Sequence, residues 1–192
     1  MRRSLNNHLY EIFLSSVDTS ADSNEDSRTK LDSHANMVVV GMHAYILNYT
    51  SRTAEVSPFT SSYDALKNVP IVDAIIAYDC LLSGKTYLLV CHNTLFASSM
   101  THNLIPPFIL RERYIVVNEV PKIQSSDPDQ TTHLIWFPDY EFCIALYLQG
   151  IFSYFLTHKP TREELVSTED ILVMTSQGQN WDPNSDLYAL NE

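Results

Sequence analysis

The chain has 192 residues, 45% of them hydrophobic, which leaves room for one ordinary domain with flanking segments and supplies enough apolar side chains for a packed core. Its formal net charge of −11, from 23 acidic and 12 basic residues, argues against a surface built mainly to bind phosphates and against attraction to anionic membranes. The three cysteines, Cys80, Cys91 and Cys143, are odd in number and show no paired spacing, so neither a disulfide framework nor a zinc site is expected.

Residues 1–14 have the spacing of a short helix through Leu9, Ile12 and Phe13. The basic start Met1-Arg2-Arg3 is followed by Asn6, Asn7, His8 and Glu11, which interrupt any signal-peptide core. No run of about 18 apolar residues is present, so no transmembrane helix is predicted. The chain reads as intracellular and cytoplasmic. Residues 15–30 hold almost no apolar side chain and read as a linker, so residues 1–30 form a leader and the folded domain is expected to start near Leu31.

From there the pattern is that of strands. Met37 to Val40 is an apolar run closed by Gly41, and Ala44 to Leu47 follows it. Arg52 to Val56 alternates as a half-exposed strand does. Val69 to Tyr78 suits a central strand, Gly84 a tight turn, and Thr86 to Cys91 an antiparallel return. Pro106 and Pro107 end the next strand, and Pro107 to Arg113 is predicted as a short helix because proline fits a first helical turn. Tyr114–Asn118, His133–Phe137, Phe142–Leu148 and Ile151–Phe155 read as further strands. Thr161 with Glu164 predicts a capping box that opens a second short helix. Beyond Ser176 a frayed tail is expected. The expected division is 1–30, 31–113, 114–160 and 161–192.

Lys30-Leu31-Asp32-Ser33-His34-Ala35 is the stretch that can carry chemistry. An aspartate at a strand end, followed by Ser or Thr, Gly and Ala, is the loop of aspartic proteases. Two such aspartates held together share one proton, so one stays protonated while the other activates water. Only one such loop occurs here, so a working site needs two copies of the chain. Taken alone, Asp-Ser is also a common turn or helix-cap dipeptide.

Asp32-Ser33-His34-Ala35-Asn36-Met37-Val38-Val39-Val40-Gly41 resembles the start of protease-like regions in copia-type retrotransposons. The likeness continues through Arg52 to Phe59, Val69 to Ala74, His102 to Glu112, Ile135 to Pro138, Gly150 to Phe155 and Lys159-Pro160-Thr161, in that order. The resemblance implies a mainly β chain with a retropepsin-like barrel and a short helix over residues 31–113, followed by a small β-rich extension leading toward the integrase. It implies peptide-bond hydrolysis by a homodimer acting on its own polyprotein, with Asp32 catalytic, Ser33 bracing the loop and Ala35 completing it. Asn103 to Leu110 resembles the stretch near the end of the protease core, where a strand is implied to lead into a short helix. The usual loop glycine is replaced by His34, and no glycine lies between Gly41 and Gly84, where the resemblance expects a glycine-rich flap. The chain looks like a fragment, since no integrase motif follows.

Other chemistries are less well supported. The histidines lie apart in sequence without a nearby carboxylate set, so no metal or other cofactor is expected. Cys91 and His92 are neighbours on a strand and point to opposite faces, which disfavours a nucleophile–base pair. Tyr147, Phe152, Tyr154 and Phe155 are candidates for base stacking, but without basic neighbours they read as core residues, and nucleic acid is not expected as a partner. A catalytically inactive relic of a retroelement polyprotein is the alternative to the protease reading.

Overall fold

A computed structural model describes residues 27–57 and 64–176. The predicted leader helix, the predicted frayed tail and the Pro58-Phe59 motif lie outside the described residues. The protein is mainly β. Among the described residues twelve strands run β1 Ser27–Leu31, β2 Val39–Val40, β3 Tyr45–Val56, β4 Leu66–Cys80, β5 Lys85–Phe96, β6 Asn103–Ile105, β7 Val116–Asn118, β8 Leu134–Phe137, β9 Phe142–Ala145, β10 Tyr147–Gln149, β11 Phe152–Thr157 and β12 Ile171–Val173. Helix α1 is Pro107–Glu112 and α2 is Arg162–Ser167.

The strands make a large sheet in the order β10-β11-β1-β6-β2-β5-β4-β3, with β12 also paired to β5, and a small sheet β7-β8-β9. The β4–β5 hairpin is the framework. Its antiparallel ladder runs from Ile71 opposite Leu95 to Cys80 opposite Lys85. Gly84, at φ 66°, closes the turn in the left-handed region that glycine reaches without steric penalty. The hairpin is buried on both faces, which is why its apolar residues run on without alternating. Ala74, Ile76, Leu89 and Cys91 face the main core, whereas Ile75, Ala77, Leu88 and Val90 face a second cluster closed by Leu165 of α2. The small sheet packs onto the main core through Phe137 and Phe142, and the Phe142 ring stacks on Tyr87 at 4.0 Å between centroids.

Three expectations are revised. Ser27 to Lys30, assigned to the linker, form most of β1, an interior strand parallel to β6 and antiparallel to β11. Their polar side chains hid them, because the two that point inward are satisfied by hydrogen bonds rather than by apolar burial. Phe142–Leu148 is two strands, since the chain leaves the small sheet after Ala145 and joins the large one at Tyr147. The large sheet also takes strands from both sides of the boundary expected at residue 113.

The expected barrel is not seen as a closed ladder among the described residues. The far end of β11 instead reaches β4 through one residue pair, Ala77 and His158, joined by two 3.0 Å hydrogen bonds. This contact is open because the β3–β4 ladder ends at Tyr45 opposite Ile75, leaving Ala77 without a partner on that side. No helix among the described residues is long and apolar enough to cross a membrane.

Candidate active site: the Asp32 loop and its support

The Asp32 loop hangs between β1 and β2, and β6 lies between those two strands. Leu31 is buried at the end of β1, and the next N–H, that of Asp32, donates to the Ile105 carbonyl at 3.1 Å. Thereafter the chain turns. The His34 N–H donates to Asp32 Oδ1 at 2.9 Å, and the Ala35 N–H to the Asp32 carbonyl at 3.4 Å. An aspartate accepting from the N–H two residues on is an Asx turn, so one carboxylate oxygen orders its own loop. The other side of the loop is fixed by Val38, whose carbonyl accepts from the Leu95 N–H at 2.9 Å and from Thr94 Oγ1 at 2.8 Å.

Beneath the loop is a buried polar network. Asn103, fully buried on β6, accepts the Gly41 N–H at 2.9 Å and donates to Thr29 Oγ1 at 3.0 Å and to Thr157 Oγ1 at 3.5 Å. The two threonine hydroxyls lie 2.9 Å apart. One asparagine thus joins β1, β6, β11 and the end of β2, and the polar groups are tolerable inside because each has a partner. Gly41 is required for close approach, since a Cβ there would stand 2.3 Å from the Met100 carbonyl oxygen.

Of the predicted site residues, Asp32 and Ser33 sit together on the loop and Ala35 is half-buried behind them. Ser33 Oγ lies 3.4 Å from His34 Nδ1, and His34 Nδ1 lies 3.7 Å from Asp32 Oδ1. The His34 side chain is 86% exposed and that of Asp32 is 30% exposed. His34 is not among the described residues with positive φ, so its position does not demand glycine for backbone reasons. Its imidazole projects into solvent beside the carboxylate.

Two other histidine–carboxylate groups form only in the folded chain. His158 stands between Glu164, whose Oε1 is 2.9 Å from Nε2, and Asp79, whose Oδ2 is 3.5 Å from Nδ1. The two ring nitrogens face different carboxylates, so one ion could take only one nitrogen. The remaining oxygens are also engaged, Asp79 Oδ1 by Thr86 and Glu164 Oε2 by the Thr161 N–H of the capping box. The arrangement is a strut that ties α2 to β4 and β11. Burial pushes the Glu164 carboxyl upward, but the Thr161 N–H and His158 outweigh it and hold the group below its ordinary value. The sequence signalled half of this set, through the capping box, and carried no signal for Asp79.

The second group lies at the bulge where β4 and β5 slip register between Val72 and Ala74. Asn93, at φ 53°, turns its N–H onto Asp73 Oδ1 at 3.1 Å. Buried His92 has Nδ1 3.2 Å from the same oxygen, close enough for charge attraction but not aligned for a hydrogen bond, and neither ring nitrogen completes one. Burial raises the Asp73 carboxyl, and His92 with the Asn93 N–H brings it net below its ordinary value. Neighbouring Cys91 is no nucleophile, since burial pushes its thiol up to about 12. No protein-family model, no curated protein and no solved structure matches the chain.

Proposed function

We propose that this chain is an aspartic-protease-like region of a copia-type retroelement polyprotein, cytoplasmic, and active as a homodimer with one Asp32 from each copy. The observation that carries this reading is the setting of the Asp32 loop. Its two flanking strands are held on either side of β6, and β6 runs directly into α1, the strand-then-helix order that the sequence resemblance implies. The stretch between Gly41 and Gly84, where a flap is expected, contains the antiparallel β3–β4 arm, whose outer half is largely exposed.

In such a dimer the two carboxyls share one proton. The ionised Asp32 takes a proton from water as its oxygen attacks the peptide carbonyl carbon, and the protonated Asp32 gives its proton to the carbonyl oxygen. The tetrahedral intermediate collapses with the C–N bond breaking and a proton passing to the leaving amine. Ser33 braces the loop, and Ala35 completes it. The peptide substrate is a segment of the same polyprotein.

The test is cleavage of such a peptide by the purified dimer, with an acidic optimum expected. Equal background cleavage by wild type and Asp32→Asn would sink the proposal. One observation favours a second reading, a folded relic without chemistry: Asp32 Oδ1 already serves its own turn, with the His34 imidazole beside it. That reading expects a dimer whose Asp32 carboxyls stay more than about 6 Å apart, too far to share a proton.

A further inference from the structure

The solvent face of β10, β11, β1 and β6 differs from the rest of this acidic chain. These four strands read Tyr-Leu-Gln, Phe-Ser-Tyr-Phe-Leu-Thr, Ser-Arg-Thr-Lys-Leu and Asn-Leu-Ile, and hold no Asp or Glu, although the chain has 23. Strand alternation sorts their side chains. Phe155 and Ser153 of β11 point inward, while Phe152 is 51% exposed, Tyr154 is half-buried on the same side, and Tyr147 of β10 is 43% exposed opposite Tyr154.

The register puts cations among these rings. Lys30 pairs with Tyr154 and Arg28 with Leu156 across the β1–β11 ladder. Diagonally, the Arg28 guanidinium lies 5.2 Å from the Tyr154 ring centroid and the Lys30 ammonium 5.7 Å from that of Phe152. The expectation that these aromatics lack basic neighbours fails because both cations belong to the stretch read as linker. Phe155 alone is the core residue that was expected.

From this face we infer that β10, β11, β1 and β6 form a docking platform for single-stranded nucleic acid. The rings of Phe152, Tyr154 and Tyr147 stack on bases, and Arg28 and Lys30 neutralise the phosphates between them. Flat exposed rings recognise bases of any sequence, and interleaved cations follow the backbone. The charge pattern favours a polyanion here, since the only fixed charges on these strands are positive. Two cations make the salt response shallow. Releasing counterions at two phosphates gives a slope of about −1.4 for log K against log salt on a single strand.

The test uses the full chain and a fluorescein-labelled oligo(U) of about ten nucleotides, followed by anisotropy from about 50 mM salt upward. Saturable binding with that shallow slope is expected. Phe152→Leu and Tyr154→Leu, which keep an apolar side chain but remove the π face, should each weaken binding about tenfold. Their circular dichroism and melting should match wild type, and Leu82→Ala at the exposed hairpin tip should bind as wild type does. An oligoglutamate of equal length should not compete. Absence of saturation at low salt overturns the inference, as does binding indifferent to both ring substitutions. Equal competition by oligoglutamate would assign the face to an acidic peptide and overturn it too.

Discussion

Strand β1 and the β4–β5 hairpin both lie inside the large sheet, and opposite means hold them there. The hairpin removes two faces of branched and aliphatic side chains from water, so its stability scales with area. In β1 only Leu31 contributes in that way. The inward Thr29 and Ser27 are kept by hydrogen bonds to Asn103, Thr157 and the Thr101 carbonyl. A strand of the first kind forms wherever the chain is apolar enough. One of the second kind exists only where distant partners arrive in register, because a buried polar group left unpaired is costly. The proposed active-site loop is attached to the second kind.

Cavity formation in the hairpin gives the largest effect. Ile76→Ala, at a site only 1% exposed, should lower unfolding free energy by about 4 kcal/mol in denaturant titration, through lost burial plus an unfilled cavity. Asn103→Ala should come next, at about 3 kcal/mol, because it strands the buried Gly41 N–H without an acceptor and leaves the Thr29 hydroxyl only that of Thr157. Its distinguishing sign is local. Amide exchange should quicken in β1 and the Asp32 loop while β4–β5 keeps its protection, and uniform loss across both would break the contrast between them.

The smallest effect concerns the strut that ties α2 to the hairpin through His158 and Asp79. Thr161→Ala removes one half of the capping box and should cost about 1 kcal/mol. The Glu164 carboxyl is held below its ordinary 4.5, so its contribution is complete above pH 4.5 and is lost as pH falls through the lowered folded-state value. Glu164→Gln should therefore flatten part of the acid limb of a stability–pH profile below pH 4.5. An unchanged limb would show that the strut contributes nothing. Asp73 and Asp129, also held below their ordinary value, should leave some acid sensitivity in the variant.

What could be read in advance follows from the range of the interactions. The hairpin with Gly84, the Pro107 start of α1 and the Thr161–Glu164 box each depend on residues within about one element of each other, and all three are present. Ser27-Arg28-Thr29-Lys30 carries no local strand signal, since its partners are Asn103 and residues 154–157, far along the chain. The Asp79–His158–Glu164 strut failed to show for the same reason. Asp79 and His158 meet only because β11 overshoots the end of the β3–β4 ladder.

The sequence alone determined the mainly β character, the central hairpin and the two helix starts, because periodicity, turn chemistry and capping act between near neighbours. It also presented Asp32-Ser33 as a turn, and that turn is there, at the end of a strand the sequence did not signal. Only the tertiary structure decided that this strand is interior and held by a buried asparagine. It also decided that Arg28 and Lys30 stand among exposed rings, and that His158 meets Asp79. Those outcomes depend on strand order and register between elements far apart in the chain, as where Thr29 meets Thr157, which no local pattern encodes.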